Sequence, residues 1–230
     1  TAMVAFGETM AYIKRTVKDP TGLGRWSGFR YCGSNGHSTV IVSAYNPCKN
    51  KKVESNTTYQ QHRRYFIEKQ EDLTCPLILF RRDLLRQLQE WKAEGNKIIL
   101  FMDHNEDIYS GRLGKMIAGD AKLKMKEVVS DFTGEKLGAT FFRGKIPIDG
   151  LWATDDIDVS NVVVMPVGYG VGDHRMFIID IPLVSLVGEN PIKIAPPQCR
   201  RLNSRLPHVP ENYIESLESN IVRHRLLERL

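Results

Sequence analysis

The sequence predicts a mixed α/β domain, and three observations carry that prediction. Two β-branched apolar runs, Thr39 to Ala44 (TVIVSA) and Lys97 to Met102 (KIILFM), read as buried strands. Between them lies a segment whose apolar residues recur at helical spacing. Short apolar runs then alternate with turns from about residue 139 onward. At 230 residues and 42% hydrophobic content, the chain can bury a sizeable core as one large domain plus an appendage.

Thr39–Ala44 closes at Tyr45-Asn46-Pro47, a turn that ends the strand. The lysine-rich stretch Lys49 to Asn56 reads as a surface loop, and a helix carrying Arg63 and Arg64 is expected from Tyr59 to Lys69. Phe80, Leu84, Leu88 and Trp91 share one helical face, and Gly95 supplies a stop, so a helix is expected from Leu77 to Glu94. It leads directly into the strand Lys97–Met102. A further helix is expected near Leu123 to Phe132. Short strands are expected at Ala139 to Phe142, Ile148 to Ala153, Val162 to Pro166 and Met176 to Ile181. Residues Gly188 to Pro210 hold five of the 11 prolines, which predicts a linker. The expected organisation is therefore a main domain over 1–187, a linker over 188–210 and a final helix over 211–230. That helix would carry Ile214, Leu217 and Ile221 on one face.

A formal charge of +5 and a pI near 9.0 favour a polyanionic partner such as nucleic acid. Cys32, Cys48, Cys75 and Cys199 are scattered, with no pair at the short spacing of zinc sites or redox motifs. They read as free thiols of an intracellular protein. No apolar run approaches the ~18 residues of a membrane span, and the N-terminus lacks a signal pattern, so no membrane partner is expected.

Polar residues gather where strands end: Tyr45 after TVIVSA, Asp103 and Asn105 after KIILFM, Asp149 within PIDGLWAT, and Asp173-His174 before RMFIIDI. A sheet presents catalytic groups from such positions. Each also has a plainer reading. Tyr45 could anchor a turn, and Asp103 and Asn105 could form one through their own side chains. Asp103-x-Asn105-x-Asp107 matches the first three ligands of an EF-hand, but Ile108 stands where that loop needs glycine and Gly114 where it needs a glutamate.

The order strand-Tyr-x-Pro, strand-Asp-x-Asn, Ile-Asp and Asp-His, with Thr140-Phe141-Phe142 ahead of Ile148-Asp149, resembles the exonuclease–endonuclease–phosphatase superfamily from about Val40 to Ile181. The resemblance implies a four-layer sandwich of two packed β-sheets flanked by helices. It also implies a metal-dependent phosphodiesterase using magnesium or manganese. In that reading Asp103 orients or deprotonates the attacking water, and Asn105 holds a phosphate oxygen. Asp149 orients His174, which contacts the phosphate; Asp173 helps bind the metal, and Tyr45 positions the phosphate. The family's early strand, its asparagine and its metal-binding glutamate find no match, so the chain is expected to carry the C-terminal two-thirds of such a domain. Met102 and Gly172 replace the family's usual glycine and serine.

DNA is the expected substrate, with Arg143 and Lys145 the expected phosphate contacts because they immediately precede the Asp149 motif. Arg63, Arg64 and the cluster Lys122, Lys124, Lys126 add to the basic balance. The linker and its arginines, Arg200, Arg201 and Arg205, give the expectation of a larger polypeptide in a layout similar to retroelement proteins. A nuclear location would follow. The same reacting groups also suit an inositol-phosphate or phospholipid phosphatase, and the unmatched glutamate suits an inactive remnant that only binds nucleic acid or protein.

Overall fold

The computed structural model describes residues 1–34, 36–71, 75–170, 172–188, 206 and 208–223. Six strands form one mixed sheet: β1 (Ile13–Lys18), β2 (Trp26–Cys32), β3 (Ser38–Tyr45), β4 (Lys97–Asp103), β5 (Met125–Glu127) and β6 (Asp149–Thr154). Their order is β1-β2-β3-β4-β6-β5, and only β3 and β4 run parallel. A second sheet pairs β7 (Asn161–Val164) with β8 (Phe177–Asp180). The flanking helices are α1 (Thr58–Glu68), α2 (Pro76–Ala93), α3 (Arg112–Gly119), α4 (Val128–Thr133) and α5 (Leu183–Val187). The mixed α/β class holds, and the second sheet has two strands among the described residues.

The parallel β3–β4 pair requires a long crossover, which α1 and α2 provide. α2 buries Phe80, Leu84, Leu88 and Trp91 on one face. They join Val40, Val42 and Ala44 of β3 and Ile98, Leu100 and Met102 of β4 in the main apolar core. Side chains alternate along a strand, so Ile41, Ser43, Tyr45, Ile99, Phe101 and Asp103 face the other side of the sheet. A smaller cluster of Ile99, Val128, Leu151, Ala153 and Ile157 lies there, with Ile179 of β8 packed against it. Register then places the polar strand ends together. Tyr45 pairs with Asp103 across the parallel ladder, and Asp103 pairs with Asp149 across the antiparallel one.

Two expected elements are corrected. The segment expected as a helix from Leu123 to Phe132 is β5 followed by the short α4, because β5 pairs with β6 and Lys124 takes a left-handed φ of 48° that breaks helical continuity. Glu127 then caps α4, accepting from the backbone N–H of Val129 and Ser130. Ala139–Phe142 is no strand; its pairing is a single bridge between Phe141 and His174. The sequence reading assigned neither β1 nor β2, where glycine and charged residues interrupt the apolar alternation, nor the short α3.

Residue contacts divide the chain into Thr1–Pro191 and Ile192–Leu230. In the second unit the described element is α6 (His208–Arg223), which begins before Pro210 and leaves Ile214 and Leu217 exposed. Most of the proline-rich stretch, Cys199, the tail arginines Arg200, Arg201 and Arg205, and residues 224–230 of the expected helix lie outside the described residues. Among those described, no helix is long and apolar enough to cross a membrane.

Candidate active site

A buried ion cluster fixes the end of β3. The Arg25 side chain, 1% exposed, donates through Nε and Nη2 to Asp19 and through Nη1 to Asp83, each at 2.9 Å. Its backbone carbonyl accepts from the Tyr45 N–H at 3.0 Å, which holds Tyr45 in place beside Asp103.

The β4 end is fixed by an Asx turn. The Asn105 N–H donates to Asp103 Oδ1 at 2.9 Å, and Asn105 takes a left-handed φ of 49° that asparagine tolerates. The plain turn reading of these residues is thus present, and it also aims both side chains. Asn105 Nδ2 donates to the Asn46 carbonyl at 2.6 Å and, more weakly, to Asp103 Oδ2 at 3.3 Å. Its Oδ1 accepts from the Cys48 thiol at 2.7 Å. Asp107 is committed elsewhere, accepting from the backbone N–H of Tyr109 and Ser110, so it does not join Asp103 as an EF-hand ligand would.

Asp149 is held from behind. The Thr140 hydroxyl, fully buried, accepts from the backbone N–H of both Ile148 and Asp149 at 3.0 Å. The His104 N–H donates to the Ile148 carbonyl at 2.7 Å, while its Nε2 accepts from the Trp152 indole at 2.9 Å. Burial pushes the His104 pKa down to about 3, which keeps the ring neutral and able to accept. A Cβ at Gly150 would fall 2.9 Å from Trp152 Nε1 and 3.1 Å from His104 Nε2, so this close approach needs glycine.

His174 completes the cluster. Its Nδ1 lies 2.8 Å from Asp149 Oδ2, and its ring packs on Phe141 with centroids 5.2 Å apart. Asp173 is 65% exposed at the rim, its Oδ1 4.0 Å from His174 Nε2. Gly172, just before it, has a φ of 99°, so the family's serine would be strained at this position. The Arg175 guanidinium ties down the neighbouring loop through the carbonyls of Met165 and Val164.

The structure therefore brings Tyr45, Asp103, Asn105, Asp149, His174 and Asp173 to one end of the sheet. Arg143 and Lys145 are exposed on the loop between Phe141 and β6, with no ion pair among the described residues. A groove of about 370 Å³, lined by Ser43, Phe101, Arg175 and Phe177, runs along the inner sheet face to Tyr45, Asp103 and Asp149. His104 and Arg25 escaped the sequence reading, and Cys48 was read there only as a free thiol. Thr140 was noted there only as part of a motif, and no local pattern announces a buried hydroxyl that serves two backbone donors.

Charge at the site is distributed unevenly. Burial, with the neighbouring Asp149 carboxylate adding, lifts Asp103 to about 6 against the opposing Asn105 hydrogen bonds and His174. Burial works against a charged His174, but the hydrogen bond and charge of Asp149, with Asp103 and Asp173 adding, leave its pKa above the ordinary value. The Tyr45 hydroxyl is pushed up by burial and by Asp103. One candidate ligand atom from each of Asp103, Asp149 and His174 lies within 4.8 Å of the others. Two carboxylates suit a hard cation such as magnesium or manganese.

No protein-family model and no curated protein matches the chain. Solved structures do. The 3′ phosphatase NExo from Neisseria, bound to a product DNA hairpin, aligns with a TM-score of 0.50 and 11% identity, covering 74% of this chain and 71% of that one. The human Nocturnin catalytic domain aligns with a TM-score of 0.43 and 14% identity over 67% of this chain. An endonuclease/exonuclease/phosphatase from Bacteroides vulgatus gives a TM-score of 0.44 and 10% identity over 74%. The chain spans 53% of the Nocturnin chain's length.

Proposed function

We propose that this chain, which has the endonuclease/exonuclease/phosphatase fold, hydrolyses phosphodiester bonds and takes DNA as its substrate. The 2.8 Å contact between Asp149 and His174, formed beside Asp103, carries the reading. A carboxylate on Nδ1 fixes the ring's orientation and favours imidazolium. That leaves Nε2 to donate to a phosphate oxygen and to stabilise charge as it develops.

Asp103, beside Asp149 and His174, can orient the attacking water or accept its proton. Asn105 can release its weak 3.3 Å contact with Asp103 and donate that N–H to a non-bridging oxygen. Tyr45 keeps its proton, because its pKa is raised, and can donate to the same phosphate. Asp103 and Asp149, with Asp173 at the rim, would hold a magnesium or manganese ion, which offsets negative charge on the phosphate oxygens when bound. Arg143 and Lys145 would meet flanking phosphates, and the +5 balance supports a polyanionic substrate.

Plasmid nicking measured beside phosphate release from inositol phosphates, with magnesium and with a chelator, tests the proposal. Magnesium-dependent nicking without phosphate release is expected, at a much lower rate than from a chain that also carries the superfamily's metal-binding glutamate. Phosphate release in the absence of nicking would move the substrate to a phosphomonoester.

A further inference from the structure

Two large aromatic side chains stand in solvent beside the candidate site, and the proposed catalysis uses neither. Phe142 is 64% exposed and Tyr169 is 70% exposed. Scattered exposed hydrophobics need no explanation. These two, however, are tied to the same short segment, residues 173–176, which carries His174.

The tie differs on the two edges of that segment. On one edge the Phe142 N–H donates to the Asp173 carbonyl at 2.8 Å, and the Arg175 N–H donates to the Thr140 carbonyl at 2.7 Å. On the other, the Met165 N–H donates to the Met176 carbonyl at 2.9 Å, and Arg175 reaches the carbonyls of Val164 and Met165. The loop leaving Met165 carries Tyr169, whose N–H donates to the Pro166 carbonyl. At the next residue, a Cβ on Gly170 would lie 3.1 Å from Met176 Cβ and 3.9 Å from the His174 carbonyl. Backbone hydrogen bonds thus fix the two loops against opposite edges of the histidine segment, and each loop carries an exposed ring. Arg143 and Lys145, both exposed, follow Phe142 directly.

We propose that Phe142 and Tyr169 receive unpaired bases of the DNA strand on the two sides of the scissile phosphate, so that the site prefers a locally single-stranded substrate. The inference rests on DNA being the substrate. An exposed ring with cations beside it matches how single strands are held. Bases stack on the ring, cations follow the backbone, and stacking tolerates any sequence because every base has a π-face. A buried, hydrogen-bonded aromatic would instead belong to the core. Among the described residues, neither ring takes part in an aromatic pair or a cation–π contact.

The test compares binding of a short single-stranded DNA with binding of an abasic strand of equal length, which has the phosphates but no bases. Both are titrated in calcium to avoid turnover, against the 230-residue chain and its variants. The unaltered chain should bind the base-bearing strand about tenfold or more tighter than the abasic one. Phe142→Ala or Tyr169→Ala should each shrink that ratio several-fold, and the double variant should bring it close to one. Phe142→Trp should retain the preference, whereas Phe142→Leu, still apolar, should not. Equal binding of both strands by the unaltered chain would overturn the inference, as would alanine variants that lose affinity for both strands equally. Hydrolysis of bis(p-nitrophenyl) phosphate by the unaltered chain reports separately on phosphodiester cleavage. Hydrolysis without base-dependent binding sinks this inference and leaves the chemistry standing.

Discussion

Asp149 lies directly opposite Asp103 across the antiparallel β4–β6 pair, and the same Asp149 carboxylate meets His174 Nδ1 at 2.8 Å. Strand register therefore sets both the repulsion that helps lift Asp103 and the attraction that lifts His174.

Asp149→Asn should lower the His174 pKa, because the change removes the hydrogen bond and charge that favour imidazolium. The sign for stability follows from the raised folded value. The pair's contribution is fully present below the unfolded histidine pKa and is lost as pH rises through the folded one. NMR titration of the His174 ring in both proteins checks this, and an unchanged pKa would show that Asp149 does not govern the ring.

Asp103 is shifted in the same direction and carries the same sign with pH. Its folded pKa of about 6 exceeds the ordinary 3.8, so folding favours the protonated form and the ionised carboxylate costs stability as pH rises through about 6. In chelator, Asp103→Asn should melt above the unaltered chain at pH 7.5, by at most about 3 kcal/mol of stability. The gap should close near pH 4. Magnesium should raise the melting temperature of the unaltered chain more than that of the variant. Thermal melts across pH with and without the ion supply the comparison.

Thr140→Val should cost about 1–3 kcal/mol in urea unfolding, since it leaves two backbone N–H groups without their acceptor. Thr140→Ser, which keeps the hydroxyl, should recover most of the loss. If valine and serine variants unfold alike, the hydroxyl is not what holds the Asp149 strand end.

Much of this frame was legible from the chain. TVIVSA and KIILFM announced β3 and β4, and helical spacing from Phe80 to Trp91 announced α2, because each buries a periodic face in the main core. Local pattern failed where long-range pairing decides. β5 exists because Met125–Glu127 pairs with β6, and β2 pairs along its full length with β3 around Gly28. The site residues could be named because they fall at or beside strands in an order that resembles the superfamily's motifs. Their supports could not: Arg25 reaches Asp83 across 58 positions, and His104 meets Trp152 across 48. Gly172 looked like a departure from the serine of the resembled family, and its φ of 99° gives the physical reason.

On the proposed reading cleavage and affinity should separate, because many basic side chains would bind the phosphates while Asp103 and His174 would act at one of them, chiefly in the transition state. The measurement is the rate of supercoiled plasmid nicking in magnesium, taken with DNA affinity in calcium, for the unaltered chain, Asp103→Asn and His174→Ala. Each variant should nick at least about a hundredfold more slowly, consistent with the loss of one preorganised transition-state contact, while binding DNA within about threefold of the unaltered chain. Nicking that persists at the unaltered rate in both variants would contradict the assignment of this cluster as the hydrolytic centre.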